Sequence, residues 1–434
     1  MNMQAFSCLR GRAVRYAATA LGAVAVLAFG AFGPAAAQAA APTTLYVSQG
    51  GLDSGTCPSA SPCATVSYAL TQAASGATIE VSGTINDQPV ISSPVTITTW
   101  LGSPPDGPGV LDGTSSGSPV VAVTNGVTGV TLRNLTIQHG GQLGINNFGT
   151  LTLTGSTVSG NPQGITNNGN GTMTVIDSTI SGNAGVGISN AGAMTVIAST
   201  ISGNTGAFGG TGGIATGAGA VHLGATIVAG NTGGNCHAAA AGQIASAGYN
   251  LTNDPTGAAC AFNAVTDLVG KNPLLGHLAS NGGPTQTMLP GTKSPAANVI
   301  PKGTTLRGVT VCPGTDQRGA ARPGHGETRC TIGAAEAAFS IGTTTSVTVN
   351  PTSVASGTRV IYQAVVTPKS GTGTPTGTIT FTTGATSLCT AILSGGVAAC
   401  GATNAPAGTD IVTGKYSGGG GYATSSGTVT LTVT

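Results

Sequence analysis

The chain is short of charge. Its 434 residues include 14 Lys and Arg and 12 Asp and Glu, 6% in all, where a globular domain usually carries about a quarter. No basic run occurs, so nucleic acid and anionic membrane surfaces are poor partners. Aromatics make up 4%, with a single Trp. The formal charge of +2 misleads, because Arg10, Arg12 and Arg15 lie in an N-terminal leader. Without them 11 basic residues face 12 acidic ones, and the remaining chain is about −1. Several catalytic motifs are also missing. There is no Gly-x-Ser-x-Gly, no phosphate loop and no calcium-binding repeat. Hydrophobic residues nevertheless reach 40%, and Gly accounts for 72 positions. Short aliphatics, Thr, Ser, Asn and Gly at this level suit narrow, flat, repetitive β-structure rather than disorder.

The one long apolar run, Ala17 to Phe32, follows the leader arginines and ends at Ala37-Gln38-Ala39. A basic segment, an apolar core and a small-x-small site predict a signal peptide over 1–39, cleaved after Ala39. A retained membrane anchor fits less well, since the run is short and interrupted by Gly22 and Gly30. Cys8 precedes the apolar core, so nothing supports a lipoprotein. No integral membrane segment is expected after cleavage.

Eight cysteines remain, in four close pairs: Cys57 with Cys63, Cys236 with Cys260, Cys312 with Cys330, Cys389 with Cys400. An even count in an exported chain predicts disulfides. Zinc is disfavoured, because no pair has two-residue spacing with a second pair beside it. The Cys236-His237 dipeptide alone is weak.

What the chain does have is a repeat. Met173-Thr-Val-Ile-Asp-Ser-Thr-Ile-Ser-Gly-Asn183 recurs ungapped as Met194 to Asn204, and more loosely from Val130, Leu151 and Val221. The starts are 21, 22, 21 and 27 residues apart. The first and third positions are always apolar and the second is Thr131, Thr152, Thr174, Thr195 or His222, which is period-two strand chemistry. The eighth position is apolar again (Ile137, Val158, Ile180, Ile201, Val228). A third apolar point follows in Gly144-Ile145, Gly164-Ile165, Gly187-Ile188 and Gly213-Ile214. Three inward faces per unit predict one coil of a right-handed parallel β-helix, stacked ~4.8 Å from the next. Asn161, Asn183, Asn204 and Asn231 then form a column at a bend. It reads as a turn ladder of left-handed Asn residues bonding one another, with ligand binding the rival reading. Asn147, Asn167 and Asn190 look like a second ladder.

Thr65 is placed to cap a helix over 66–74 that covers the open end of the stack. The expected divisions are an N-terminal cap at 40–78, the β-helix at 79–290 with roughly nine coils and a length of ~45 Å, a C-terminal cap and linker at 291–340, and a second domain at 341–434. In the C-terminal cap Arg307, Arg318, Arg322 and Arg329 gather beside Asp316, Glu327 and Glu336. An active site is one reading. The other is a polar closing element held by ion pairs and a Cys312–Cys330 bridge. From Thr343 about seven short alternating strands predict an antiparallel sandwich.

Asn235-Cys236, Gly248-Tyr-Asn-Leu251, Asn272-Pro-Leu-Leu275, Asn281-Gly-Gly-Pro-Thr-Gln-Thr287, Asp316-Gln-Arg-Gly319, Arg322-Pro323 and Cys330-Thr-Ile-Gly333 resemble, in order, the bacterial "choice-of-anchor Q" proteins. The resemblance covers roughly 45–338. It implies an exported, pectate-lyase-like right-handed parallel β-helix, and it implies no catalytic residues. Thr331 and Ala335 depart from the acidic residue and aromatic common there. Thr376-Gly-Thr-Ile-Thr-Phe381 and Tyr416-Ser-Gly-Gly-Gly-Gly-Tyr422 resemble bacterial Ig-like repeats of surface proteins. The fold expected is therefore all-β, a β-helix followed by an Ig-like β-sandwich, with Cys389 and Cys400 across a hairpin centred on 394–396.

Chemistry is sparse. Between 130 and 231 the only acid is Asp177, so the ~5–9.5 Å carboxylate pair of a glycosidase cannot be built there. Glu80, Asp87, Asp106 and Asp112, near Trp100, are the one acidic neighbourhood before it. His139 and His222 have no acid at coil spacing. No catalytic, cofactor or metal residue is assigned. Two functions follow. One is an exported structural or adhesive surface protein that meets an extracellular glycan or protein. The other is a carbohydrate-active enzyme, a polysaccharide lyase or glycosidase, which needs two or more of Asp87, Asp106 and Asp112 in one groove beside Trp100.

Overall fold

The computed structural model describes residues 44–434 except 101–104, 115–116, 207–209, 292, 325–326, 338–341, 370–372 and 420–421. The signal peptide expected at 1–39 lies outside the described residues. Among those described, no helix is long and apolar enough to cross a membrane.

Residues from Thr44 to Val269 wind into a parallel β-solenoid of three sheets with nine, nine and seven strands. One coil shows the plan. Thr150–Thr154 lies in the first sheet, Thr157–Ser159 in the second and Ile165–Asn167 in the third. Thr172–Ile176 then pairs with Thr150–Thr154 to begin the next coil. Stacking holds like residues in file. Leu153, Val175, Val196 and Leu223 are successive partners and are all fully buried. So are Ile137, Val158, Ile180, Ile201 and Val228 in the second sheet. Ile145, Ile165, Ile188 and Ile214 make the third file. A single coil has no interior of its own. Its apolar faces leave water only when coils stack, so the register is fixed by burial.

The bends obey equally regular rules. At the first bend one residue per coil takes positive φ: Asn134, Gly155, Asp177, Ala198, Ala225 and Tyr249. The hydroxyl of the next residue bridges coils, since the Ser156 and Ser178 amides donate to Ser178 and Ser199 Oγ at 3.2 Å each. At the second bend Asn161, Asn183 and Asn204 donate through Nδ2 to the Oδ1 of Asn183, Asn204 and Asn231 at 3.1, 2.8 and 3.0 Å. The left-handed residue here is the preceding glycine, at Gly160, Gly182, Gly203 and Gly230, and not the Asn. Asn147 and Asn167 form a second ladder, donating to Asn167 and Asn190 at 2.7 and 2.8 Å. Coil-to-coil approach is close enough that a Cβ on Gly164 would stand 2.3 Å from the Gly187 carbonyl oxygen.

The ends are closed differently. Helix α1, Val66–Gln72, has Thr65 Oγ1 accepting from the Tyr68 amide, and buries Val66 and Ala69. The Cys57–Cys63 disulfide joins the same core. Pairing already begins at Thr44–Ser48 with Ala77–Ser82, ahead of the expected start at Ile79. At the far end the last parallel pairs are Leu251 with Leu268 and Thr252 with Val269, not coils reaching Leu289. A 3-10 turn at Ala258–Cys260, the Cys236–Cys260 disulfide and buried Phe262 close the core there.

The chain after 270 then turns back along the outside of the rod. Thr285 Oγ1 donates to the Gly155 carbonyl at 3.0 Å, and Thr157 Oγ1 to that of Gln286 at 2.6 Å. Buried Gln317 donates to Thr157 Oγ1 at 2.9 Å and accepts from Thr179 Oγ1 at 2.6 Å. The Ala334 amide reaches Thr200 Oγ1 at 3.0 Å and the Gly333 amide reaches the Ala225 carbonyl at 2.9 Å. Outward-facing Ile197 and Ile227 are buried with Ala296, Ile300, Val311 and Ile332 in a second apolar core, beside the Cys312–Cys330 disulfide. The arginine-rich segment is thus a clasp on the flank of the solenoid rather than a lid on its end.

The C-terminal region is antiparallel apart from one short edge pair. Thr343–Asn350, Val360–Pro368 and Val397–Ala402 form one sheet. Ser425–Val433, Gly408–Tyr416, Thr378–Thr383 and Thr386–Ile392, with Ser353–Val354, form the other. Tyr362, Phe381 and Tyr416 fill the core between them. Cys389 and Cys400 do not face one another across a paired hairpin. Their strands belong to different sheets, and the disulfide ties those two edges together.

Candidate functional site

The acidic neighbourhood before the regular coils does not converge. Asp87 accepts from the amide and hydroxyl of Ser67 at 2.6 and 2.7 Å, which anchors α1 to the solenoid. Asp106 accepts from Ser48 Oγ at 2.7 Å. Trp100 packs on Tyr46 with ring centroids 4.6 Å apart. Glu80 lies on the first sheet opposite Thr98. Among the described residues, no three His, Cys, Asp or Glu side chains are grouped as a metal ion requires.

Asp112 is the exception, and the coil period hid it. Its Oδ2 lies 2.8 Å from His139 Nδ1. Asp112 is in register with Gln138, 26 positions on, where the next coil takes 21 from Gln138 to Ser159, so the acid lies 27 positions before the histidine. The register Asp112 with Gln138 shows the two side by side on adjacent rungs. Gln138 Nε2 also donates to Asp112, at 2.9 Å, and so does the Thr114 amide, at 3.0 Å. Burial raises the carboxyl pKa, but the bonds from Gln138, His139 and Thr114 outweigh it and hold the group below its ordinary value.

His139 is unusual in its backbone too. It has φ +53, at the bend where later coils place Gly160, Gly182, Gly203 and Gly230 with φ between +66 and +71. Its imidazole overlies the next coil: a Cβ on Gly160 would sit 3.4 Å from Cδ2 and 3.6 Å from Nε2. The ring borders an open groove of about 460 Å³ lined by Gly140, Gly141, Gly160, Pro162, Gly182 and Ala184.

A second cleft, of about 300 Å³, lies between the solenoid and the clasp, lined among others by Arg133, Asp177, Asp316 and Arg318. Its charges hold the clasp in place. Arg322 Nη2 is 3.2 Å from Asp177 and its Nη1 is 3.3 Å from Glu336, while Arg318 Nη2 is 2.6 Å from Asp316. Burial, with Asp316 and Glu336 adding to it against the pull of Arg322, pushes the Asp177 carboxyl up to about 6. His222 faces outward in register with Thr195, and burial and Arg307 lower its pKa.

Fold and site together define a parallel β-solenoid joined to antiparallel β-structure. Within the latter, residues 347–434 match the family model described as bacterial Ig-like domain (group 3). No curated protein matches the chain.

Proposed function

We propose that the protein is exported and works outside the cytoplasm as a structural or adhesive surface component, its solenoid rod presented by the Ig-like module. The observation that carries this reading is the architecture: a solenoid closed and clasped with disulfides, followed by an Ig-like domain typical of surface proteins. Disulfides persist in oxidising compartments, and the leader at 1–39 supplies a route there. The likeness to choice-of-anchor Q proteins points the same way. The separate structural engagements of Asp87 and Asp106 weigh against a lyase or glycosidase groove, since function follows the site and not the fold. Two measurements test the reading. Fractionation of the producing cell should find the protein in the envelope or medium with residues 1–39 removed. Incubation with a polysaccharide panel should release neither reducing ends nor unsaturated products. Product release that Asp106→Ala abolishes would establish the enzyme instead.

A further inference from the structure

We propose that His139, fixed by Asp112, is a contact residue for a neutral carbohydrate lying in the glycine-floored groove over Gly160 and Gly182; the inference rests on the adhesive reading above and names its site. Three independent features meet here. The first is the backbone. A left-handed residue is cheap for glycine and costly for a side chain bearing Cβ. Four later coils place glycine at this bend, and only this coil places histidine. Strain kept at one rung of a repeat is a reason to look for a role.

The second feature is the oriented ring. The Asp112 side chain is 9% exposed and that of His139 56%. A carboxylate against Nδ1 keeps the proton on that nitrogen, so in the neutral ring Nε2 is an acceptor. A sugar hydroxyl can donate to it. Asp112 in turn is held by Gln138 and Thr114, so the ring direction is set before any ligand arrives.

The third feature is the groove. Half of its lining is glycine, with Pro162 and Ala184 as apolar surface, Asn161 beside His139 as the polar part, and no Lys, Arg, Asp or Glu. At about 460 Å³ it falls in the usual range for small-molecule sites, ~300–1,000 Å³. A floor without side chains admits a flat ring closely. The lack of charge disfavours phosphate, uronate and cationic ligands. A neutral pyranose offers what remains, an apolar ring face and outward hydroxyls.

The test uses the full chain after removal of residues 1–39, with cellohexaose, xylohexaose, mannohexaose and laminarihexaose as probes. Binding is read by calorimetry, and the His139 ring nitrogens by long-range ¹H–¹⁵N correlation. We expect at least one hexaose to bind and to shift the His139 Nε2 resonance. His139→Gly should weaken that sugar at least tenfold while the circular dichroism spectrum is retained. Asp112→Asn, whose amide can donate to Nδ1 and leave the proton on Nε2, should weaken binding and invert the tautomer signature. Undiminished binding by His139→Gly moves the sugar site elsewhere and overturns the proposal, while adhesion stands. Failure of all four sugars to bind the wild type also overturns it. The surface reading is judged separately, by fractionation.

Discussion

Replacing Asp177 by Asn should make the protein more stable at neutral pH, although it removes an ion pair. Asp177 sits at the first bend with φ +45 and lies 3.2 Å from Arg322. Its carboxyl is raised from 3.8 to about 6. A carboxyl whose folded pKa exceeds its unfolded one contributes stability that is fully present below 3.8 and is lost as pH rises through about 6. Two powers of ten in proton affinity correspond to about 3 kcal/mol. Solvent reaching the side chain, which is 25% exposed, leaves about 2 kcal/mol. Asparagine is compatible with the backbone, because Asn134 occupies the same bend two coils earlier with φ +56. The assay is urea unfolding with disulfides intact, followed by far-ultraviolet circular dichroism between pH 4 and 7.5. The two proteins should agree near pH 4 and separate by about 2 kcal/mol at pH 7.5, the variant being the more stable. If the variant is weaker at pH 7.5, or if the curves run parallel, the buried carboxylate is a net stabiliser and the argument is wrong.

Two further outcomes follow from the ladder and the end closure. Asn183→Ala removes donors to Asn204 and the Val158 carbonyl and the acceptor used by the Asn161 amide. Unpaired buried groups cost about 1–3 kcal/mol each, so the urea midpoint should report a loss of at least ~3 kcal/mol, with Asn231→Ala, at the half-buried end of the column, costing less. Cys236→Ser with Cys260→Ser opens the far end of the core. A loss of about 3 kcal/mol is expected, and limited proteolysis with mass spectrometry should show new cleavage within 257–270.

The periodic part of the fold was legible because each inward position repeats in kind. Val175 above Val196 and Ile180 above Ile201 are visible as text. The Asn ladder was legible as a column, but its conformation was assigned to the wrong residue. The left-handed turn belongs to Gly182, and Asn183 follows it with its amide turned inward. The Ser156, Ser178 and Ser199 ladder went unread, since serine at a bend has many explanations. Asp112 and His139 escaped because an enlarged coil breaks the period where the pair forms. The clasp escaped for another reason. Its bonds join residues such as Thr179 and Gln317, 138 positions apart, and no local pattern encodes such a distance. Ile227 was an available sign, as an apolar residue at the end of a column otherwise made of Thr136, Thr157, Thr179 and Thr200.

That clasp also gauges the rod. It grips four consecutive rungs, from Gly155 and Thr157 through Thr179 and Thr200 to Ala225. Duplicating a repeat between those anchors would carry the outermost one ~4.8 Å out of reach, and Gly333 and Ala334 would lose their seats together. Copies added ahead of Thr150 would disturb none of these attachments. Lineages of this molecule should therefore grow or shrink near the amino-terminal end, while the gripped storeys keep their number.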